Sequence, residues 1–120
     1  MFRSLELLRW QWEGYPRYHQ SRTNLAWHVL LVPLFLAGNI LLVVSLVQAW
    51  WLTAILSIAA MVVSIALQGR GHGQEAVPPE PFTGPLNAVA RIFLEQWITF
   101  PRFVLSGGWA RAMRNAARAG

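Results

Sequence analysis

The chain has 120 residues, of which 55% are apolar and only 12% are charged, and its mean hydropathy is +0.37. This length excludes multidomain architectures and most large enzyme folds. Ordinary globular domains carry roughly a quarter charged residues, so this chain has too little polar sequence to cover a soluble core, which favours a membrane protein.

The absence of cysteine excludes disulfide frameworks, thiolate metal sites and thiol catalysis. The net charge of +5 comes from arginines that are spread along both flanks of the chain and not clustered on one segment. Such a distribution favours the lipid bilayer and its anionic headgroups as partners, and it argues against nucleic acid.

Residues 1–15 predict an amphipathic N-terminal helix. Gly14 and Pro16 are expected to end it. Its apolar side chains recur at helical spacing and form one stripe, made of Leu5, Leu8, Trp12 and Tyr15.

Residues 23–69 contain no Asp, Glu, Lys or Arg. A single helix over this run would be about 70 Å long, whereas the hydrocarbon core of a bilayer is about 30 Å thick. The run must therefore fold back, and the sequence from Gln48 to Trp51 marks the headgroup boundary where it does so. We predict a lead-in and first span over 16–47, apolar from Leu25 to Val47, and a second span over 51–67. A buried hairpin of a soluble protein is the alternative, but so short a chain could hardly surround it.

Basic residues near the ends of spans favour the cytoplasmic side of a membrane. The arginines precede the first predicted span or follow the second, and the connection between the spans has none, so both termini are expected to be cytoplasmic. The arginines are Arg3, Arg9, Arg17, Arg22, Arg70, Arg91, Arg102, Arg111, Arg114 and Arg118.

After the second span, residues 68–85 predict a loop rich in Gly and Pro, 86–105 an amphipathic helix, and 106–120 a basic tail. In the helix, Arg91 and Glu95 are four residues apart and are expected on the side opposite the apolar stripe. The predicted fold is all-α: one integral membrane domain, 1–120, formed by a helical hairpin of two spans with flanking amphipathic helices that are interfacial or re-entrant.

All three histidines flank the predicted spans. His19 and His28 lie around the start of the first span, and His72 directly follows the second. Antiparallel spans begin and end on the same side of a bilayer, so these side chains should lie in one neighbourhood. Asn24 and His28 share a helix face, whereas His19 can join them only if the helix starts later or bends near 21–23.

Histidine is the commonest metal ligand among side chains, and three imidazoles with a carboxylate suit Fe(II), Zn or Mn. Glu75 could be a fourth ligand, an orienting group or a catalytic base, and Gln68 is a candidate for the same pocket. The structural alternative is that each histidine only binds water, headgroups or backbone. A polar group inside a span is costly, and this favours a functional role for His28. A haem site between His28 and His72 is a further alternative.

Two motifs resemble a known family. Residues 19–28 have the form H-x4-N-x3-H, and residues 68–75 have the form Q-G-x-G-H-x-x-E. Together they resemble the small integral membrane proteins whose characterised member is the Fe(II)-dependent 2-hydroxy fatty acid dioxygenase of phytosphingosine degradation. Residues 95–103 are similar to a bacterial branch of that family, some members of which are described as terminal oxidase subunits.

The resemblance implies an O2-dependent α-oxidation in the bacterial inner membrane, in which a long-chain 2-hydroxy fatty acid loses its carboxyl carbon. It implies that His19, His28 and His72 are the Fe(II) ligands, and that Asn24 and Glu75 support catalysis.

A hydroxy acid in a bilayer has its tail among the lipid chains and its carboxylate near the headgroups. Arg22, Arg70 or Arg102 could bind that carboxylate. The alternative function is that of a non-catalytic accessory subunit or assembly factor of a larger membrane complex, such as a respiratory terminal oxidase. The chain could also form a homo-oligomer. The small residues of the second span permit such close helix packing, and they are Ala54, Ser57, Ala59, Ala60 and Ser64.

Overall fold

A computed structural model describes residues 2–119 and the side chains of residues 5–117. Met1 and Gly120, the outer ends of the predicted N-terminal helix and basic tail, lie outside the described residues. Regular structure in the described part is entirely helical, without a strand. The elements are α1 (Phe2–Tyr18), α2 (Arg22–Gln48), α3 (Trp51–His72), α4 (Pro85–Leu94), a π-helical turn (Glu95–Thr99), α5 (Phe100–Leu105) and α6 (Gly108–Ala119).

Helices α2 and α3 are both long and apolar enough to cross a membrane. The Ser21 hydroxyl caps the start of α2 by accepting a hydrogen bond from the backbone N–H of Asn24. Ala49 ends α2 in a left-handed conformation, with a φ of 56°. The connection to α3 therefore contains only Ala49 and Trp50, so the chain reverses within a tight turn.

Small residues allow α2 and α3 to pack closely in opposite directions. A Cβ added at Gly38 would lie 2.8 Å from the Cγ of Met61, so the glycine is what lets α3 approach. The Ser64 hydroxyl donates to the carbonyl of Leu31 at 2.6 Å. Close to the other end of the pair, Gly71 packs directly on Asn24.

The outer surfaces of α2 and α3 remain apolar and uncovered in the described chain. Only 22% of the most apolar stretch of each helix is buried, whereas a core helix of a soluble protein is mostly buried. Large contiguous apolar surfaces mark contact with a membrane or another protein. The exposed aliphatic side chains include Val43, Val47, Leu52, Ile55, Ile58 and Val62.

The shorter helices gather around the start of α2 and the end of α3. A small core forms there from Tyr15, Leu25, Val32, Phe100 and Phe103. Helix α1 continues through Pro16 to Tyr18, three residues beyond its predicted end at residue 15. This extension brings α1 to within one residue of His19.

The helical run from α4 to α5 packs along α2. The indole N–H of Trp97 donates to the side-chain carbonyl of Asn39 at 3.2 Å. The rings of Phe93 and Phe35 meet edge to face, with centroids 5.4 Å apart. The apolar stripe predicted for 86–105 thus contacts the middle of α2.

Candidate metal centre

His19, His28 and His72 converge on one point with Glu95. Each of the four residues offers a ligand atom, and these atoms all lie within 4.8 Å of one another. The three imidazole rings are mutually perpendicular within about 11°, with centroids 4.8–5.0 Å apart. The structure therefore brings together all three histidines that the sequence singles out, and it adds a carboxylate that the sequence prediction did not include.

His19 reaches this group because the chain breaks between α1 and α2. Helix α1 ends at Tyr18, α2 begins at Arg22, and the intervening Ser21 is extended, with a ψ of 130°. His19 and His28 thus lie on different elements. This is the break near residues 21–23 that their spacing requires.

Backbone carbonyls fix the tautomers of two histidines. The Nδ1 of His19 lies 2.8 Å from the carbonyl oxygen of Tyr15, and the Nδ1 of His28 lies 3.0 Å from that of Asn24. A carbonyl only accepts hydrogen bonds, so each Nδ1 carries the proton and each Nε2 is left with a free lone pair. Such a carbonyl bond is the usual way in which a metal-binding histidine is oriented.

The free nitrogens have no hydrogen-bond partner among the described residues. The Nε2 atoms of His19 and His28 and the Nδ1 of His72 are all buried and unpaired. Buried polar atoms are normally satisfied, so three unpaired ring nitrogens in one cluster need an explanation. A bound cation would satisfy all of them.

Glu95 supplies the negative charge of the group. Its Oε2 lies 3.5 Å from the Nε2 of His19 and 3.5 Å from that of His28. Two ligands about 2.1 Å from a common ion, at a near-tetrahedral angle, are separated by about 3.4 Å. The observed spacing is therefore suited to a metal ion.

Tyr15 holds Glu95 in place. Its hydroxyl donates to the Oε2 of Glu95 at 2.8 Å, and its ring stacks on His19 with centroids 3.7 Å apart. Burial, together with the adjacent Glu95 charge and hydrogen bond, raises the pKa of Tyr15 well above its ordinary value. Burial alone would raise the pKa of Glu95, but the adjacent imidazoles of His19 and His28 hold it well below its ordinary value. Tyr15 thus remains a donor and Glu95 an anion.

The sequence prediction missed Glu95 because it did not place the side of the helix that carries Glu95 against the histidines. An α-helical period puts Glu95 with Arg91 on the side opposite the apolar stripe. The turn from Glu95 to Thr99 is π-helical and so contains an extra residue. Arg91 and Glu95 both line the cavity beside the histidines, so the side of the helix that carries them faces the site. Pro101 is the sequence signal for the π-helical turn, because it lacks the N–H that would donate to the carbonyl of Trp97 in a regular α-helix.

Glu75 lies outside this group of four. Its carboxylate accepts hydrogen bonds from the backbone N–H groups of Gln20 and Ser21 and from the side-chain amide of Asn24. Asn24 in turn orients His28 through its backbone carbonyl. Glu75 and Asn24 therefore hold the start of α2, and they act on the cluster through His28.

A cavity of about 410 Å³ adjoins the histidines, and it lies between α1, the end of α3, the loop at 79–82 and α4. Gln68, the predicted pocket residue, lines it. Gln68 and Gln96 are buried and exchange two side-chain hydrogen bonds of 2.9 and 2.8 Å. The predicted carboxylate-binding residues Arg22, Arg70 and Arg102 are exposed and lie outside the residues that line the cavity.

The donor set determines which cofactor fits. Three imidazole nitrogens and one carboxylate oxygen suit Fe(II), Zn or Mn. A haem between His28 and His72 does not fit, because their ring centroids are only 4.9 Å apart and His19 packs against both rings. Axial ligands of a haem must lie on opposite faces of the porphyrin, with the macrocycle between them.

No protein-family model, curated protein or solved structure matches this chain. The geometry of the cluster and the two histidine motifs are therefore the basis on which a function can be inferred.

Proposed function

We propose that this protein is a membrane-embedded non-haem Fe(II) dioxygenase that shortens 2-hydroxy fatty acids by one carbon. The observation that carries the proposal is the convergence of His19, His28, His72 and Glu95, whose ligand atoms lie within 4.8 Å of one another. One ring nitrogen of each histidine is buried and lacks a hydrogen-bond partner in the described chain.

The choice of iron follows from the ligands and from the motifs. Mixed histidine and carboxylate sets with open positions are typical of non-haem Fe(II) oxygenases. The motifs H-x4-N-x3-H and Q-G-x-G-H-x-x-E resemble those of the Fe(II)-dependent 2-hydroxy fatty acid dioxygenase family. Both motifs contribute side chains to the cluster or to its support, which is the role expected of them in such an enzyme.

The reaction balances without a further reductant. A 2-hydroxy acid and O2 give the acid shorter by one carbon, CO2 and water. The bond between C1 and C2 breaks, C1 leaves as CO2, C2 becomes the new carboxyl carbon, and O2 takes up all the electrons that are released. When bound, iron supplies the activation of O2 and of the substrate hydroxyl.

The residues of the chain hold the reactants and control protons. Glu95 stays ionised and balances the charge of the cation, and Tyr15 keeps its proton and fixes the Glu95 carboxylate. Gln68 and Gln96 close one wall of the cavity with a paired amide network. The largely apolar lining suits an acyl chain and excludes water from the reacting end.

A hairpin of two spans in the bacterial inner membrane, with both termini cytoplasmic, completes the proposal. The uncovered aliphatic surface of α2 and α3 supports insertion, and the arginines on both flanks support the orientation. The cluster lies where α2 begins and α3 ends, so it would face the cytoplasmic headgroup layer. A fatty acid in that leaflet presents its carboxylate at the same depth.

The test is turnover of 2-hydroxypalmitate labelled at its carboxyl carbon. The purified protein is loaded anaerobically with Fe(II) and then exposed to O2. We expect labelled CO2 and the acid shorter by one carbon, in equal amounts, with one O2 consumed for each. The His28→Ala and His72→Ala variants should give neither product. A protein that binds iron but leaves the substrate and O2 unchanged would contradict the dioxygenase and favour the accessory-subunit alternative.

A further inference from the structure

Arg91 lies in the wall of the cavity beside the metal cluster. It is the only Arg or Lys among the described residues that line this cavity. Most of the remaining wall is apolar or aromatic, and includes Trp10, Tyr18, Ile65, Pro81, Phe82 and Ile92. The cavity thus combines the Arg91 guanidinium, a largely apolar wall and a cluster of side chains that could bind a metal.

Contacts with the neighbouring loop hold the Arg91 guanidinium in place. Nη1 donates to the carbonyl of Pro81 at 3.0 Å, and Nη2 donates to the carbonyl of Glu80 at 2.8 Å. The guanidinium carbon lies 4.9 Å from the ring centroid of Trp10 and 4.5 Å from that of Phe82. These contacts order the side chain before any ligand arrives, which lowers the entropic cost of binding one.

The charge of Arg91 is not neutralised in the described chain. Its partners are neutral carbonyls and aromatic rings, and no carboxylate among the described residues lies within ion-pair distance of it. A guanidinium has five N–H donors, of which these bonds use two. The others are free to bind an anion, and a carboxylate matches the planar guanidinium best.

Arg91 and the four residues of the cluster line the same cavity. Arg91 precedes Glu95 by four residues, which is about 6 Å along a helix axis. A carboxylate at Arg91 would therefore place the adjacent hydroxyl-bearing carbon towards the histidines and the acyl chain along the apolar wall. Arg22, Arg70 and Arg102 lie outside the cavity lining and lack this relation.

We propose that Arg91 binds the carboxylate of a single-chain fatty acid in this cavity, and so selects free acids over uncharged long-chain molecules. This inference rests on the proposed function for the identity of the substrate, and it names the residue that recognises the substrate's charged end.

The experiment measures ligand binding without catalysis. Metal-free protein in nanodiscs of zwitterionic lipid is dialysed against labelled palmitate or labelled hexadecanol, with empty nanodiscs as the blank. These probes share a chain and differ in charge. The variants are Arg91→Gln, Arg91→Lys and the matched control Arg102→Gln, since Arg102 also stacks on a tryptophan, at 3.9 Å from the Trp12 ring, but lies outside the cavity lining.

We expect the parent protein to bind palmitate and Arg91→Gln to bind it about tenfold or more weakly, because a charge-assisted hydrogen bond is lost. Arg91→Lys should recover part of that loss, hexadecanol binding should change little, and Arg102→Gln should match the parent. Equal palmitate binding by the parent and Arg91→Gln would overturn the inference. Parallel loss of palmitate and hexadecanol in both Arg91 variants would also overturn it, because that would be a structural effect.

Iron titration of the same preparations separates this inference from the proposed function. If the parent fails to bind iron, the dioxygenase proposal fails, while the comparison of palmitate with hexadecanol still decides the role of Arg91. If iron binds normally and the palmitate result is negative, only the role of Arg91 is overturned. A misfolded Arg91→Gln variant leaves the decision to Arg91→Lys and to the preference of the parent protein between the two probes.

Discussion

Glu95 adds a carboxylate to the three histidines of the candidate metal centre. Its carboxylate lies 3.5 Å from two of the free imidazole nitrogens and is oriented by the Tyr15 hydroxyl. Without it, the cluster would offer only neutral donors in a largely buried setting, where the charge of a cation is costly. The negative charge of Glu95 therefore matters as much as its shape.

The substitution Glu95→Gln should weaken iron binding while leaving the fold intact. Glutamine keeps the size of the side chain but removes the charge and the strongest ligand oxygen. Loss of a residue that merely supports a metal ligand costs about 10–100-fold in affinity, so loss of a ligand should cost at least that much. Anaerobic titration of Fe(II) measures the effect. The control is Glu13→Gln, an exposed carboxylate on α1. Equal affinity in the two variants would remove Glu95 from the site.

Gly71 of α3 packs on Asn24 of α2, and the backbone carbonyl of Asn24 orients His28. A substitution at Gly71 therefore tests how the contact between the two helices positions His28. A Cβ at Gly71 would lie 2.5 Å from the Oδ1 of Asn24, whose side chain is already held by Glu75 at 2.8 Å. Gly71→Ala should therefore lower the free energy of unfolding by about 1–3 kcal/mol, as overpacking does, and it should weaken iron binding.

Gly69→Ala is the matched control for that substitution. It lies two residues away on α3, and a Cβ there would meet nothing within 4 Å. Alanine is the better helix former, so this variant should be as stable as the parent or more stable by up to about 1 kcal/mol. Thermal unfolding of both variants in one detergent compares them. Equal stability would show that Asn24 moves aside freely, and it would contradict tight packing of Gly71 on Asn24.

Among the elements, the π-helical turn has the most direct effect on the site. It links α4 to α5, and its first residue is Glu95, a member of the cluster. Turns of this kind arise by insertion of one residue into an α-helix and are frequent at functional sites. Removing that residue should restore a regular helix and turn the preceding segment by about 100° relative to the following one.

Deletion of Ile98 should therefore abolish tight iron binding without loss of helix. Ile98 is exposed, so its side chain contributes little to the core. Circular dichroism should show unchanged helicity, while the Fe(II) affinity should fall by about tenfold or more. Ile98→Ala, which keeps the chain length, should bind iron like the parent. If the deletion variant bound iron normally, Glu95 would not depend on the turn for its position.

The elements also show what sequence could and could not predict. The charge-free run predicts the two long apolar helices. Because antiparallel spans begin and end on the same side of a membrane, it also predicts that the three histidines lie close together. The sequence places Glu95 and Arg91 on one side of their helix but not beside the histidines, because that position depends on how the helix packs on α1. Glu75 lies near the cluster in sequence, but the loop after α3 directs it to the start of α2.

For the whole molecule, the proposed hairpin has one orientation in the membrane. The α2–α3 connection should face the periplasm, and the loop after α3 should face the cytoplasm with the cluster. The chain has no cysteine, so single cysteines can report each side without background. Trp50 and Gln74 are exposed and lie in the connection and the loop, respectively.

A membrane-impermeant maleimide should label Trp50→Cys in intact spheroplasts and Gln74→Cys only in inverted vesicles. The orientation follows from the arginines on both flanks, which favour the cytoplasmic side. The parent chain should show no labelling in either preparation. The reverse pattern would place the cluster in the periplasm, and labelling of both cysteines from the same side would exclude a pair of spans.

Iron content directly measures whether His19, His28, His72 and Glu95 hold one shared cation. Protein extracted from membranes is depleted of metal, dialysed anaerobically against Fe(II), and assayed for bound iron alongside its three single His→Ala variants. We expect about one iron per chain in the parent, and a loss of about tenfold or more in affinity in every histidine variant. A parent protein that retains no iron, or histidine variants that bind iron as the parent does, would contradict a shared metal site.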